Sequence, residues 1–515
     1  MAQQLQNITV AAPGFFGLNT QDSPLSSDAS YASVADNCVI DKLGRIGARK
    51  GYKTVTTNGA AVLGTSRGIE VIFEFINRAG QTTVFSCGNN KIFTGTTTLA
   101  EVTLPVGYTI SDNNWKVLSF NNDVYFFQSQ HAPLQSVAGS STLILVPSSG
   151  TNIPPKGNEV LAAFGRVWTC DVFDNKYTVY WSSLLAGDDW HGGSSGSVDL
   201  TSVWPTGYDE VVSLAEHNGF LIIFGKKSII IYSGGESPSS NLTLADTIEG
   251  VGCVARDSVQ STGSDLFFLS SRGVMSLGRL LQQKSLPLND VSKNVRSDLL
   301  QSLSIEVHAN GRREAIKSIY SPTDAFYLLT FPDSALVYCF DLRAPLENGA
   351  YRVTTWSALK PISFAIFADD QLYMGHDEGI VEYGSYLDGS TKYQMRYFSN
   401  ALDFGNSANL KFLKKFNLTI IGGQNAQAVL NWGYDYTSAF TKQSFTLTGS
   451  TNPAEYGVSE YNTNAEYTAA ATVNTPRVNT AGSGEVVTIG VEAEINNSAF
   501  SIQKIDIHAI LGRLI

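Results

Sequence analysis

One pattern recurs along most of this chain and limits its fold more than any other. An apolar strand is followed by a short turn rich in Asn, Asp or Gly, then by a strongly apolar or aromatic strand, often with a third strand after a second turn. Copies run over residues 71–76 and 82–87, 115–120 and 124–127, 160–164 with 166–172 and 177–181, and 211–215 with 220–224 and 228–232. Three more run over 258–261, 266–269 and 274–277, over 316–320, 325–330 and 335–340, and over 363–367, 371–374 and 380–383. Their turns fall near 77, 121, 165, 218, 263, 323 and 369, about 44, 44, 53, 45, 60 and 46 residues apart. A period in the mid-forties with up to four strands is the spacing of propeller blades, because a lone small sheet cannot bury both faces and radially packed copies cover one another. A string of hairpins in sandwiches also gives frequent turns, but not near-equal spacing over about 300 residues. We therefore expect an all-β chain with a β-propeller of six or seven blades over 60–394, preceded by an extended segment and first strands over 1–59.

One insertion between copies reads as a helix. In the stretch 286–303, Val291, Val295 and Leu299 stand at i, i+4 and i+8, with Asn289 or Asp290 available as cap. This is the one short inserted helix the pattern predicts, three to four turns long. After 395 the texture changes. Phe416, Leu418 and Ile420 alternate with polar neighbours, as do Val487, Ile489 and Val491, and later Ile505 and Ile507. That is the pattern of half-buried antiparallel strands, so 395–515 is expected to be a C-terminal β-sandwich or tip domain, with long loops over 450–483.

Composition narrows the function. Thirty-five Lys and Arg against 46 Asp and Glu leave a net charge of −11, which argues against a general nucleic-acid binder. Within 422–501 two basic residues, Lys442 and Arg477, face seven acidic ones, a balance of −5. Glu455, Glu460, Glu466 and Glu485 are the acidic tip or channel candidates in that stretch. The five cysteines are widely spaced, as buried thiols rather than a disulfide framework or zinc site. Residues 1–10 carry neither a basic nor an apolar signal region, and no apolar run approaches the roughly 18 residues of a membrane helix. These features lead us to expect synthesis in a reducing cytosol and no membrane span.

Catalytic motifs do not survive inspection. The run 192–196 matches GxSxG around Ser194, but it sits in a Gly/Ser loop without the strand and helix that strain a nucleophile outward. Residues 225–228 superficially resemble a phosphate loop, yet the intervening Phe220–Phe224 run is a strand, so no nest of backbone N–H groups is expected there. Asp188, Asp189 and His191 are close in sequence, as are Asp369 and Asp370, but both sets read as turns. No enzymatic site, metal or cofactor is expected.

A more specific constellation is an ordered series of short motifs. It starts with residues 14–24 (GFFGLNTQDSP), 35–39 (ADNCV) and 44–52 (GRIGARKGY). Later come Arg166-Val-Trp168, the run 179–182 with Asp189-Trp190, Leu221–Gly225 with Ile229–Tyr232, 248–253 (IEGVGC), Leu266–Leu269 with Gly273-Val274, and the helix over 289–303. In this order over residues 10–385 the chain resembles the tail nozzle proteins of short-tailed bacteriophages, also called tail tubular protein B or packaged-DNA stabilisation proteins. The resemblance implies a virion structural protein, assembled in the host cytoplasm into a homohexameric ring below the head–tail adaptor. Such a ring continues the DNA channel, retains packaged DNA and passes it during ejection, without sequence-specific contacts. Tail fibres are a further partner the family implies, although this chain is shorter than many members. An acidic wall would let a polyanion slide where a basic wall would hold it. The competing readings are a non-viral propeller binding module and a propeller hydrolase or lyase with groups converging at the axial mouth.

Overall fold

The computed structural model describes residues 5–10, 14–41, 44–64, 68–147, 153–205, 207–283, 290–424, 426–447 and 473–514. Six four-stranded antiparallel blades and one three-stranded unit follow one another around a ring. The first four blades start at Val71–Ile76, Lys116–Phe120, Glu159–Ala163 and Val211–His217. The three-stranded unit, Gln260–Ser261, Leu266–Ser270 and Gly273–Ser276, takes the fifth position. The sixth blade runs from Lys317–Ser321 to Arg352–Trp356 and the seventh from Ser363–Ile366 to Gly379–Tyr383.

The turns form where the sequence places them because their residues tolerate a left-handed backbone. Asn121, Asn122, Gly165, Asn218, Gly219, Gly263 and Asp370 all have positive φ. The strands they join then bury both faces, and six hydrophobic cores each span two neighbouring blades. Phe85 and Phe126 meet edge to face between the first and second blades. Ile72 and Phe93 of the first blade share a core with Phe367 and Ile380 of the seventh, which closes the circle. A strand from far earlier in the chain completes that seventh blade: Tyr52–Thr54 pairs with Val381–Tyr383.

The second unit is a sandwich. One sheet is centred on the long antiparallel pair Asn409–Gly422 and Phe500–Leu514, extended by Leu5–Val10, Cys38–Ile40 and Ile46–Ala48. The other contains Tyr31–Asp36, Tyr393–Ser399, Val487–Ile495, Gln427–Tyr434 and Thr441–Thr446, and is continuous with the sixth blade through Gly17–Leu18. Inward residues of the two sheets, among them Phe416, Leu418, Ile507, Tyr397, Leu430 and Val491, form one buried core. The strands of the N-terminal segment are thus divided between sandwich and propeller. Phe15 and Leu18 pack inside this chain's own core.

The inserted helix differs from expectation. Val291, Val295, Leu299 and Leu303 are buried as their spacing requires, but regular α-helix begins only at Arg296, after a 3-10 turn over Lys293–Val295. Asn289 lies outside the described residues. Asp290 does not cap the helix; its buried carboxylate accepts hydrogen bonds from Arg296 instead. Nor is this helix alone, since Leu277–Gln283 forms another directly after the fifth sheet. All five cysteines are free and buried.

Candidate functional site

The inner strand of nearly every blade begins beside a polar residue, and these residues meet on the propeller axis. Lys116 of the second blade places Nζ 2.9 Å from Asp257 Oδ1, just before the fifth sheet, and 3.4 Å from Glu159 Oε2 of the third. Lys317 of the sixth blade places Nζ 2.7 Å from Asp257 Oδ2 and donates to Asn114 Oδ1. Arg256 donates from Nη2 to Asp257 Oδ2 at 2.9 Å and to Asn114 Oδ1 at 3.0 Å, and from Nη1 to Asn158 Oδ1 at 2.9 Å. The second blade neighbours neither the fifth nor the sixth, so these bonds cross the axis. At this level the described side chains bridge the bore of the propeller.

Three cations share two carboxylates here, and their titration follows. Burial alone would raise the Asp257 pKa, but Arg256, Lys116 and Lys317 outweigh it and hold the carboxyl well below its usual range. Glu159 goes the other way, with burial raising its pKa against the pull of Lys116 and Arg256. Burial lowers the Lys317 pKa although Asp257 opposes the shift. A cavity of about 390 Å³ lies on one side of the cluster, with Glu70, Asp112, Asn114, Gln128, Asn158 and Glu314 in its wall. Among the described residues no group of three or more His, Cys, Asp or Glu side chains could hold a metal ion.

The other sequence candidates resolve into local structure. Ser194 Oγ accepts hydrogen bonds from Arg166 Nη1 at 2.9 Å and the Leu184 N–H at 3.2 Å, so it braces a loop. Asp189 accepts the N–H of Gly192 and of His191, forming a turn; the Gly192 bond, followed by Ser183, lowers its pKa. At the imitation phosphate loop the structure corrects the sequence. Three backbone N–H groups do converge, those of Lys226, Lys227 and Ser228 at 3.0, 2.8 and 2.9 Å, and the anion they hold is the buried carboxylate of Asp209. The loop is therefore filled from within the chain.

Glu455, Glu460 and Glu466 lie outside the described residues. Glu485 is exposed on the sandwich, and its N–H donates to Asp435 Oδ1 at 2.7 Å. The strand Val487–Ile495 is less acidic than its own sequence, because cations from outside the 422–501 window face it. Lys392 pairs with Glu494 at 2.8 Å, and Arg396 stands 3.9 Å from Glu492.

No family model matches the chain, and no curated protein matches it. Among solved structures, the extracellular domain of a one-component system protein from B. thetaiotaomicron is 9% identical with a TM-score of 0.40, over 65% of this chain and 40% of that one. PorZ, a surface component of the type-IX secretion system of Porphyromonas gingivalis, is 11% identical with a TM-score of 0.33, over 64% of this chain and 37% of that one. The chain spans well under half the length of either. The propeller assignment rests on the closed ring of sheets and shared cores described above. No helix among the described residues is long and apolar enough to cross a membrane.

Proposed function

We propose that this chain is the subunit of a ring-forming tail nozzle of a short-tailed bacteriophage, which continues the DNA channel below the adaptor, retains packaged DNA and passes it during ejection. The reading starts from the ordered motifs, and one structural observation carries it further. The axis of the propeller is bridged by the Lys116, Asp257 and Lys317 cluster, so the propeller serves as a wall and not as a pore. A DNA path would then lie between subunits of a ring. The motif over residues 35–52 supplies the joint of that wall: Asn37, Cys38 and Arg49 stand where sandwich strands meet the strand that closes the seventh blade.

Native mass spectrometry tests this reading. The expected species is a homohexamer, formed by the chain alone or on a purified portal–adaptor complex. A chain that stays monomeric in both settings sinks the nozzle reading and favours the non-viral binding module, for which the axial cavity is the natural ligand site.

A further inference from the structure

From the side chains meeting on the axis we infer a modification site: Lys317 and Asn114 form an intramolecular isopeptide bond that ties the sixth blade to the second. The inference is independent of the nozzle reading. Both residues are more than nine-tenths buried, and Lys317 Nζ already touches the Asn114 carboxamide through Oδ1. Burial of that kind replaces the encounter of amine and amide by a fixed approach.

The surrounding groups match what the reaction demands of them. Lysine becomes a nucleophile when desolvation favours its neutral amine, and burial lowers the Lys317 pKa in that direction. Asp257 Oδ2, 2.7 Å from Nζ, stands where the departing proton must be accepted. Arg256 Nη2, 3.0 Å from Asn114 Oδ1, is a fixed cationic donor to the oxygen on which negative charge develops. Because Oδ1 receives both cations, the orientation of the carboxamide is settled, and Nδ2 is the atom left without a hydrogen-bond partner among the described residues. Asn114 also lines the cavity of about 390 Å³, which gives the leaving nitrogen an exit.

The step balances without any further reagent. The Asp257 carboxylate relays one proton from the Lys317 ammonium, and Nζ shifts from Oδ1 onto the face of Cγ while Oδ1 keeps its hydrogen bond from Arg256. The Nζ–Cγ bond forms, the Cγ–Nδ2 bond breaks, a second Nζ proton passes to Nδ2, and Asp257 returns the proton it took, so the nitrogen leaves as ammonium. No group is oxidised or reduced, and the chain loses one ammonia and one positive charge.

Mass spectrometry of the full chain, intact under denaturing conditions and after digestion, decides the matter. The expected result is a mass one ammonia below that of the sequence, together with a branched peptide joining the segments that contain Asn114 and Lys317. Lys317→Arg keeps the cation and removes the nucleophile, so it should restore the full sequence mass, as should Asn114→Ala. A wild-type chain at full mass with two separate peptides overturns the proposal, even if neither variant folds. So does an ammonia loss that persists in Lys317→Arg, which would assign it to another asparagine.

Discussion

The guanidinium of Arg49 donates two parallel hydrogen bonds to the carboxylate of Asp388, Nη1 to Oδ1 at 2.8 Å and Nη2 to Oδ2 at 2.7 Å. Arg49 is wholly buried, its Nε donates to Asn37 Oδ1 at 2.9 Å, and its guanidinium lies 4.1 Å from the centre of the Tyr393 ring. Asp388 follows the last strand of the seventh blade and Tyr393 opens the sandwich, so this pair pins the chain at the joint between the two units. Removing one partner leaves a buried charge unmatched. Asp388→Ala should cost about 3–5 kcal/mol, read from the denaturant midpoint. A loss below about 1 kcal/mol would mean that the pair does not hold the joint.

Asp209 makes a second prediction through its three backbone donors. Asp209→Ala leaves the N–H groups of Lys226, Lys227 and Ser228 without their acceptor beside a core residue, and should destabilise by about 3 kcal/mol. Ser194→Ala removes only a loop brace and should cost about 1 kcal/mol, without affecting assembly. Equal effects of the two substitutions in thermal unfolding would contradict this ranking.

Much of this architecture was legible because its causes are local. The turns at Asn121, Gly165, Asn218 and Gly263 need residues that accept positive φ, and such residues recur at nearly fixed intervals. The closing strand Tyr52–Thr54 was not legible, since its partner lies more than 300 residues away and no local pattern joins them. The axial cluster was missed for a different reason. Lys116, Glu159, Asp257 and Lys317 belong to no motif, and each is one polar residue at the start of a repeat. Their common phase in the repeat, shared by Glu70 and Glu210, was the signal that could have found them.

Glu306 should make stability depend on pH near neutrality. Burial raises its pKa to about 7, and the N–H of Asp333 donates to its Oε1 at 2.6 Å. A raised folded pKa means that the folded state binds the proton more tightly than the unfolded chain does. Its contribution is therefore fully present below the unfolded value, near 4.5, and is lost as pH rises through about 7. Glu306→Gln should be more stable than wild type at alkaline pH, with the difference shrinking as the pH falls below 7. A difference independent of pH between 5 and 8, where unperturbed carboxylates are already ionised, would contradict the assignment.

Charge reversal addresses the acidic tip. Lys392 and Arg396 face Glu494 and Glu492, so repulsion of DNA would fall to Glu455, Glu460 and Glu466 together with Glu485. Changing Glu455, Glu460 and Glu466 to Lys together should slow DNA ejection at low salt and leave ring assembly intact. The slowing should fade as salt is added, because screening acts over about 8 Å at physiological ionic strength. Ejection kinetics unchanged at low salt would remove electrostatics from the account.

The most direct test of the central claim is a cryo-EM map of the assembled protein with DNA present. The expected map shows a ring of six copies whose DNA density runs through a lumen bounded by several subunits, with the Lys116, Asp257 and Lys317 cluster closing each propeller axis. Particles that are single propellers, or DNA density threaded along a propeller axis, would contradict it.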